Sequence, residues 1–262
     1  MNQRYIILFV LAIPYIMGTD YMSSYVKEFE KRVALLAPIA DNKQPQLNEK
    51  QSTPIKTIKK IHNSIEDGSY NVFCECLCSL PNTEEAALPH YDFLRAEYTL
   101  YKTIEKIYNA NRWNELSNID EDEIGKMAPI SSFPMFKIDV SKGKTTFSED
   151  KTIVEHFFYE TKSNVELYKI QDDWYLCPYL LGNTTPIDKD GAKKFVDWFT
   201  KWMYLNTIPN LAAQIHLETN GKTSFKELRK IRYEARKEAA KLSTEEIVKK
   251  VGNLKKEMNM KL

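Results

Sequence analysis

Residues 53–81 read TPIKTIKKIHNSIEDGSYNVFCECLCSLP. The first half has a start, a face and a stop. Thr53 can cap a helix, and Pro54 fits the first helical position, where no backbone N–H is needed. Ile55, Ile58, Ile61 and Ile65 recur at helical spacing with lysines opposite, and Asp67-Gly68 ends the run. The second half carries Cys74, Cys76 and Cys78, three of the four cysteines. Alternate side chains share a face only on a strand. Here Val72, Phe73, Cys76, Leu77 and Leu80 recur at helical spacing, which predicts a second short helix stopped by Pro81. A structural zinc site takes four converging ligands, usually from two separated pairs. Only Cys177 could supply a fourth sulfur, and no His lies near the run, so neither metal nor cofactor is expected. Cys177 can pair with Cys74, Cys76 or Cys78, and the sequence does not choose among them. The stretch therefore reads as helix core with at most one staple.

Outward from this stretch, a third helix is predicted from about Tyr91 to Ala110, with Leu94, Tyr98, Tyr101, Ile104 and Tyr108 on one face. The period then changes to two. MFKIDV (135–140) and KTIVEHFFYET (151–161) read as strands, the second apolar on both faces and so central. NVELYKIQDDWYLCPYL (164–180) reads as two strands around Gln171-Asp172-Asp173. Helical spacing returns after Asp188. Residues 193–217 form a long apolar helix, expected to bend or break at Pro209 and to dock on the sheet. Thr223 or Ser224, ahead of Glu227, opens another helix with a capping box. On the other side, Tyr25, Phe29, Val33 and Leu36 have helical spacing, and 37–52 is polar, holds Pro38 and Pro45, and reads as a linker.

The N-terminus sets the compartment. Arg4 precedes an apolar run from Tyr5 to Met17, broken only by Pro14, with Gly18 and Thr19 behind it. The run is short of the roughly 20 apolar residues a spanning helix needs and matches a secretory signal. An uncleaved anchor is the alternative. Either way the folded part is expected outside the cytoplasm: periplasmic, secreted, or membrane-anchored. The divisions expected are 1–19 signal or anchor, 20–52 helix and linker, 53–182 an α+β domain, and 183–262 a helical region.

Net charge is +1 over 262 residues, which gives no overall polyanion signal. Thirteen basic residues face six acidic ones from Lys222 to Leu262, so a weak membrane contact through this basic tail is the only charge-driven partner expected; nucleic acid is disfavoured. No nucleophile elbow, P-loop, dinucleotide fingerprint or paired-His zinc motif occurs. His62 lies beside the apolar face of the first helix and His156 on the predicted central strand. A cavity His near Asp139 could act as a general base, whereas Glu155 and His156 are adjacent on a strand and point apart. Aromatic side chains including Tyr98, Tyr101 and Trp174 suit either a core or an apolar, carbohydrate-like cleft.

Two segments, TPIKTIKKIHNSIEDGSYNVF (53–73) and VELYKIQDDWYLCPYL (165–180), resemble the opening helix pair and the closing hairpin of a known superfamily. It is the cone-shaped fold of nuclear transport factor, ketosteroid isomerase and SnoaL-type cyclases. The resemblance spans about 53–182. It implies an α+β fold with helices on the concave face of a twisted, mainly antiparallel sheet, followed here by a helical C-terminal region. It also implies an exported bacterial member of unassigned function. The catalytic patterns of the enzyme members have no matching residues, so no catalytic role carries over. The expectation is an exported, non-catalytic binding or assembly protein with a small apolar ligand or a protein partner. His62, Tyr98, Tyr101, His156 and Trp174 are its ligand-binding candidates. The alternative is a small isomerase- or hydrolase-like enzyme using a cavity His or Asp.

Overall fold

A computed structural model describes residues 31–39, 51–109, 112–117, 156–159, 165–177 and 188–258. In chain order these form β1 (Ala37–Pro38), α1 (Pro54–Asp67), α2 (Tyr70–Glu75), β2 (Cys78–Ser79), α3 (Ala87–Tyr108) and α4 (Trp113–Ser117). Then come β3 (His156–Tyr159), β4 (Val165–Ile170), β5 (Asp173–Leu176), α5 (Lys189–Asn220), α6 (Phe225–Ala239) and α7 (Thr244–Glu257). The fold is α+β and mostly helical, with two small antiparallel sheets, β1–β2 and β3–β4–β5. The apolar run at 5–17, the strand read at 135–140 and Asp139 lie outside the described residues. Among those described, no helix is long and apolar enough to cross a membrane.

Helix α1 is built as its sequence dictates. Thr53 Oγ1 accepts from Lys56 N at 3.3 Å, and Gly68 closes the helix at φ 77°, where a side chain would be strained. Its buried face is Thr57, Ile58, Ile61, Ser64 and Ile65. That face meets the sheet: Thr57 Oγ1 donates to the Trp174 carbonyl at 3.1 Å. Strand β4 pairs with β3 on one side (His156↔Tyr168) and with β5 on the other (Tyr168↔Tyr175). The β4–β5 turn is Gln171-Asp172, with Gln171 at φ 58°. Residues 156–159, read as part of a central strand, pair with β4 alone among the described strands.

The cysteine stretch departs from the helical reading. Helix α2 ends at Glu75, Cys76 caps it, and the chain straightens. The free edge of β5 recruits it. Leu176 N donates to the Cys76 carbonyl at 2.9 Å, and Leu77 bridges Leu176 in parallel. Backbone groups on that edge must be satisfied, and this outweighs the weak preference of a short apolar run for helix. Pairing with β2 also takes Ala37 and Pro38 out of the expected linker. The same recruitment lays Cys78 beside Cys177, and the two are joined by a disulfide with Cα atoms 5.0 Å apart. Cys74 and Cys76 are free; burial pushes the Cys76 thiol up to about 12, so it is inert at neutral pH. Alkylation of the denatured, unreduced protein should therefore label Cys74 and Cys76 alone, and all four after reduction, as read by peptide mass spectrometry. Labelling of Cys78 and Cys177 without reductant would show that the bond is not formed.

The long helix α5 runs unbroken through Pro209, so of the expected bend or break the break does not occur. Pro209 is buried, and one turn upstream Asn206 Nδ2 donates to the Trp202 carbonyl and Thr207 Oγ1 to the Met203 carbonyl. Packing on every side holds the helix through the lost hydrogen bond. Only the first half of α5 reaches the sheet core, where Phe195, Phe199 and Met203 join Leu167, Trp174 and Leu176. The second half packs among helices: Tyr204, Ile208 and Leu211 meet Ala96 of α3, Ala239 of α6, and Ile247 and Val251 of α7. Ser224 caps α6 by accepting from Glu227 N. A full capping box sits at Ser243 and Glu246 of α7.

Candidate functional sites in the helical layer

Helix α3 is buried over more of its surface than one apolar stripe predicts. Of the stripe read from spacing, Leu94, Ile104 and Tyr108 are buried and Tyr98 and Tyr101 are half-buried; Phe93, Ala96, Glu97 and Leu100 face inward as well. The reason is that α3 is packed on two sides, by α1 and α2 and by α5. Two charged residues are thereby carried into the interior.

The first is Asp92. Its Oδ1 accepts from Lys255 Nζ at 2.6 Å and its Oδ2 from the Tyr204 hydroxyl at 3.0 Å. All three residues are buried, and they join α3, α5 and α7. Burial, then the Asp92 charge, pushes the Tyr204 hydroxyl up, keeping it a donor. The Tyr70 hydroxyl on α2 is raised chiefly by burial, with Cys74 and Asp92 adding to it.

The second is Glu97, 1% exposed, at the junction of α3, α5 and α6. Arg232 of α6 donates from Nη2 to Asn210 Oδ1 at 3.0 Å and from Nη1 to the Leu116 carbonyl at 3.4 Å. Gln214 lies one turn beyond Asn210 and donates to Glu218. Five atoms in this junction have no hydrogen-bond partner: both Glu97 carboxyl oxygens, Asn210 Nδ2, Gln214 Oε1 and Arg232 Nε. Burial pushes the Glu97 carboxyl up to about 8, against the pull of Arg232. Burial lowers the Arg232 guanidinium to about 10. Neither group was singled out by spacing alone, yet a signal existed: Glu97 stands within the stripe Phe93–Glu97–Leu100–Ile104, and Arg232 within Phe225–Leu228–Arg232–Ala239.

A third feature lies at the surface. Trp198 and Trp202 on the first half of α5 are 51% and 41% exposed and stack with rings 2° from parallel and centroids 5.9 Å apart. Lys194 and Lys201 flank them on the same face, one turn before and one turn after Trp198.

Of the residues expected to line a pocket, those whose side chains are described meet different neighbours. Trp174 is buried in the sheet core. His62 is half-buried on α1. The Tyr98 hydroxyl donates to Glu66 Oε1 at 2.7 Å, while Tyr101 packs edge-on against Trp113 at 6.0 Å. His156 lies in β3, opposite Tyr168; its side chain lies outside what is described. Among the described residues no group of three or more His, Cys, Asp or Glu is placed to hold a metal ion. No family model matches the chain, and no curated protein or solved structure matches it.

Proposed function

We propose that the protein is an exported, non-catalytic binding or assembly protein that docks a protein partner through Trp198 and Trp202. The observation that carries this reading is the exposed tryptophan pair. Trp is the side chain most enriched in binding hot spots, and the other two tryptophans, Trp113 and Trp174, are buried. Lys194 and Lys201 beside the pair favour a partner segment with an apolar anchor flanked by carboxylates. The Cys78–Cys177 bond supports an oxidising, extracytoplasmic location. The cone-like arrangement belongs to the same reading: it is supported by α1 lying on β5 and by the antiparallel order β3–β4–β5. The alternative, a small pocket enzyme, would rest on His62 or His156 with Asp139.

The test is a photo-cross-linking amino acid placed at 198 or 202 in the full chain, expressed in its native cells. A discrete protein adduct is expected, and Lys194→Glu with Lys201→Glu should abolish it. Adducts to lipid alone, or a protein adduct indifferent to charge reversal, would overturn the reading.

A further inference from the structure

The α3–α5–α6 junction has an uncompensated charge. Arg232 is 5% exposed, and its two bonded partners are a neutral amide and a backbone carbonyl. No carboxylate lies within ion-pair distance of it among the described residues. A guanidinium does not shed its proton in proteins, and at about 10 Arg232 remains charged at neutral pH. Half-buried Arg236, one turn along α6, adds positive charge instead of cancelling it. Burying a charge without a partner costs several kcal/mol. Glu97 is the one acid nearby, and neither of its oxygens has a partner.

The unused atoms have a consistent chemistry. Arg232 Nε and Asn210 Nδ2 are donors with nothing to donate to. A neutral Glu97 carboxyl adds a third donor. A carboxylate offers two oxygens and about four lone-pair sites, and its bonds to a guanidinium are among the strongest available. Gln214 Oε1 is the remaining acceptor and suits a hydroxyl on the same molecule. Apolar Leu100, Ala213, Leu217 and Leu228 form the adjoining cluster, so a short hydrocarbon part is tolerated.

We propose that the junction of α3, α5 and α6 is a binding site for a small carboxylate anion, held by Arg232 and Asn210 against Glu97. The anion supplies the charge that Arg232 lacks and uses the stranded donors. Because Glu97 and Arg232 are almost fully buried, binding requires a local opening of the helices, and exchange is slow. The site is separate from the aromatic face of α5, so either can fail alone.

Acetate is the probe, titrated into the full chain near neutral pH at constant ionic strength, with sodium chloride as the control. The melting temperature should rise saturably with acetate and not with chloride. Backbone amide NMR shifts of the unaltered protein should cluster around Glu97, Asn210 and Arg232. Arg232→Met should weaken acetate binding at least about tenfold, the worth of one charge-assisted hydrogen bond. Should that variant fail to fold, Asn210→Asp serves in its place: it gives Arg232 an internal carboxylate of nearly the same shape. Asn210→Asp should raise the melting temperature and abolish the response to acetate. An equal effect from chloride, amide shifts spread over the surface lysines, or an acetate response that survives Asn210→Asp would overturn the site.

Discussion

Asp92→Ala is expected to lower stability by about 3–5 kcal/mol, the cost of removing one partner of a buried ion pair. Alanine would leave the Lys255 ammonium, bonded at 2.6 Å in the native protein, as a buried charge without a counter-ion. It would also strand the Tyr204 hydroxyl, at a further cost of about 1–3 kcal/mol. A domain has only about 5–15 kcal/mol to spare, so a substantially unfolded protein at moderate urea follows. The second half of the expectation separates charge from packing. Asp92→Leu combined with Lys255→Met removes both charges and keeps volume, so it should recover the cost of the unpaired ammonium and retain only the roughly 1–3 kcal/mol of the stranded Tyr204 hydroxyl. Urea unfolding of the single and double variants measures both. A single variant that unfolds with wild type would show that water reaches Lys255. A double variant as weak as the single one would show that shape, not charge, is what Asp92 supplies. The pair joins residues 163 apart in sequence, so it also fixes where α7 lies on α3.

The local punctuation of this chain was readable because it rests on short-range chemistry. Thr53-Pro54 and Asp67-Gly68 bound α1, and Gln171-Asp172 turns the β4–β5 hairpin. The cap at Ser224 was readable for the same reason. The equivalent box at Ser243 and Glu246 has the same pattern and could have been read. What spacing could not give was decided by distant partners. The Cys74–Cys78 run fits a helix by its own period, and only the unpaired edge of β5, about a hundred residues later, straightens it. Pro209 signals a break in isolation, yet α3, α6 and α7 hold α5 through it. Helical patterning assigns charges outward, so Asp92 and Lys255 stay hidden until their helices are placed together, while Glu97 and Arg232 give themselves away only by standing within apolar stripes. Spacing along one chain does not say whether Tyr98, Tyr101 and Trp174 share a cavity. They meet three different neighbours: Glu66, Trp113 and the sheet core.

Glu97→Gln is expected to stabilise the protein at and above neutral pH. The Glu97 carboxyl, 4.5 in the unfolded chain, is raised to about 8 in the folded one. Between these values the folded state holds a proton that the unfolded state has lost. Unfolding then releases that proton, so the contribution of Glu97 to stability falls as pH rises from about 4.5 to about 8. The contribution is complete below the lower value and gone above the upper one. Each unit of the difference is worth about 1.4 kcal/mol, which makes the full span on the order of 5 kcal/mol. Glutamine keeps the shape and cannot ionise. The variant should match wild type within about 1 kcal/mol near pH 4, and exceed it by roughly 4–5 kcal/mol near pH 9. Arg232 stays charged across that window, and His90, which burial lowers to about 4, titrates alike in both proteins, so the difference between wild type and variant belongs to Glu97. Denaturant unfolding at a series of pH values reads the effect directly. Parallel pH profiles for wild type and variant would sink the expectation. They would mean that Glu97, once ionised, swings onto Arg232 and recovers as an ion pair what it loses to burial, so that the junction supplies its own anion and has no need of a ligand.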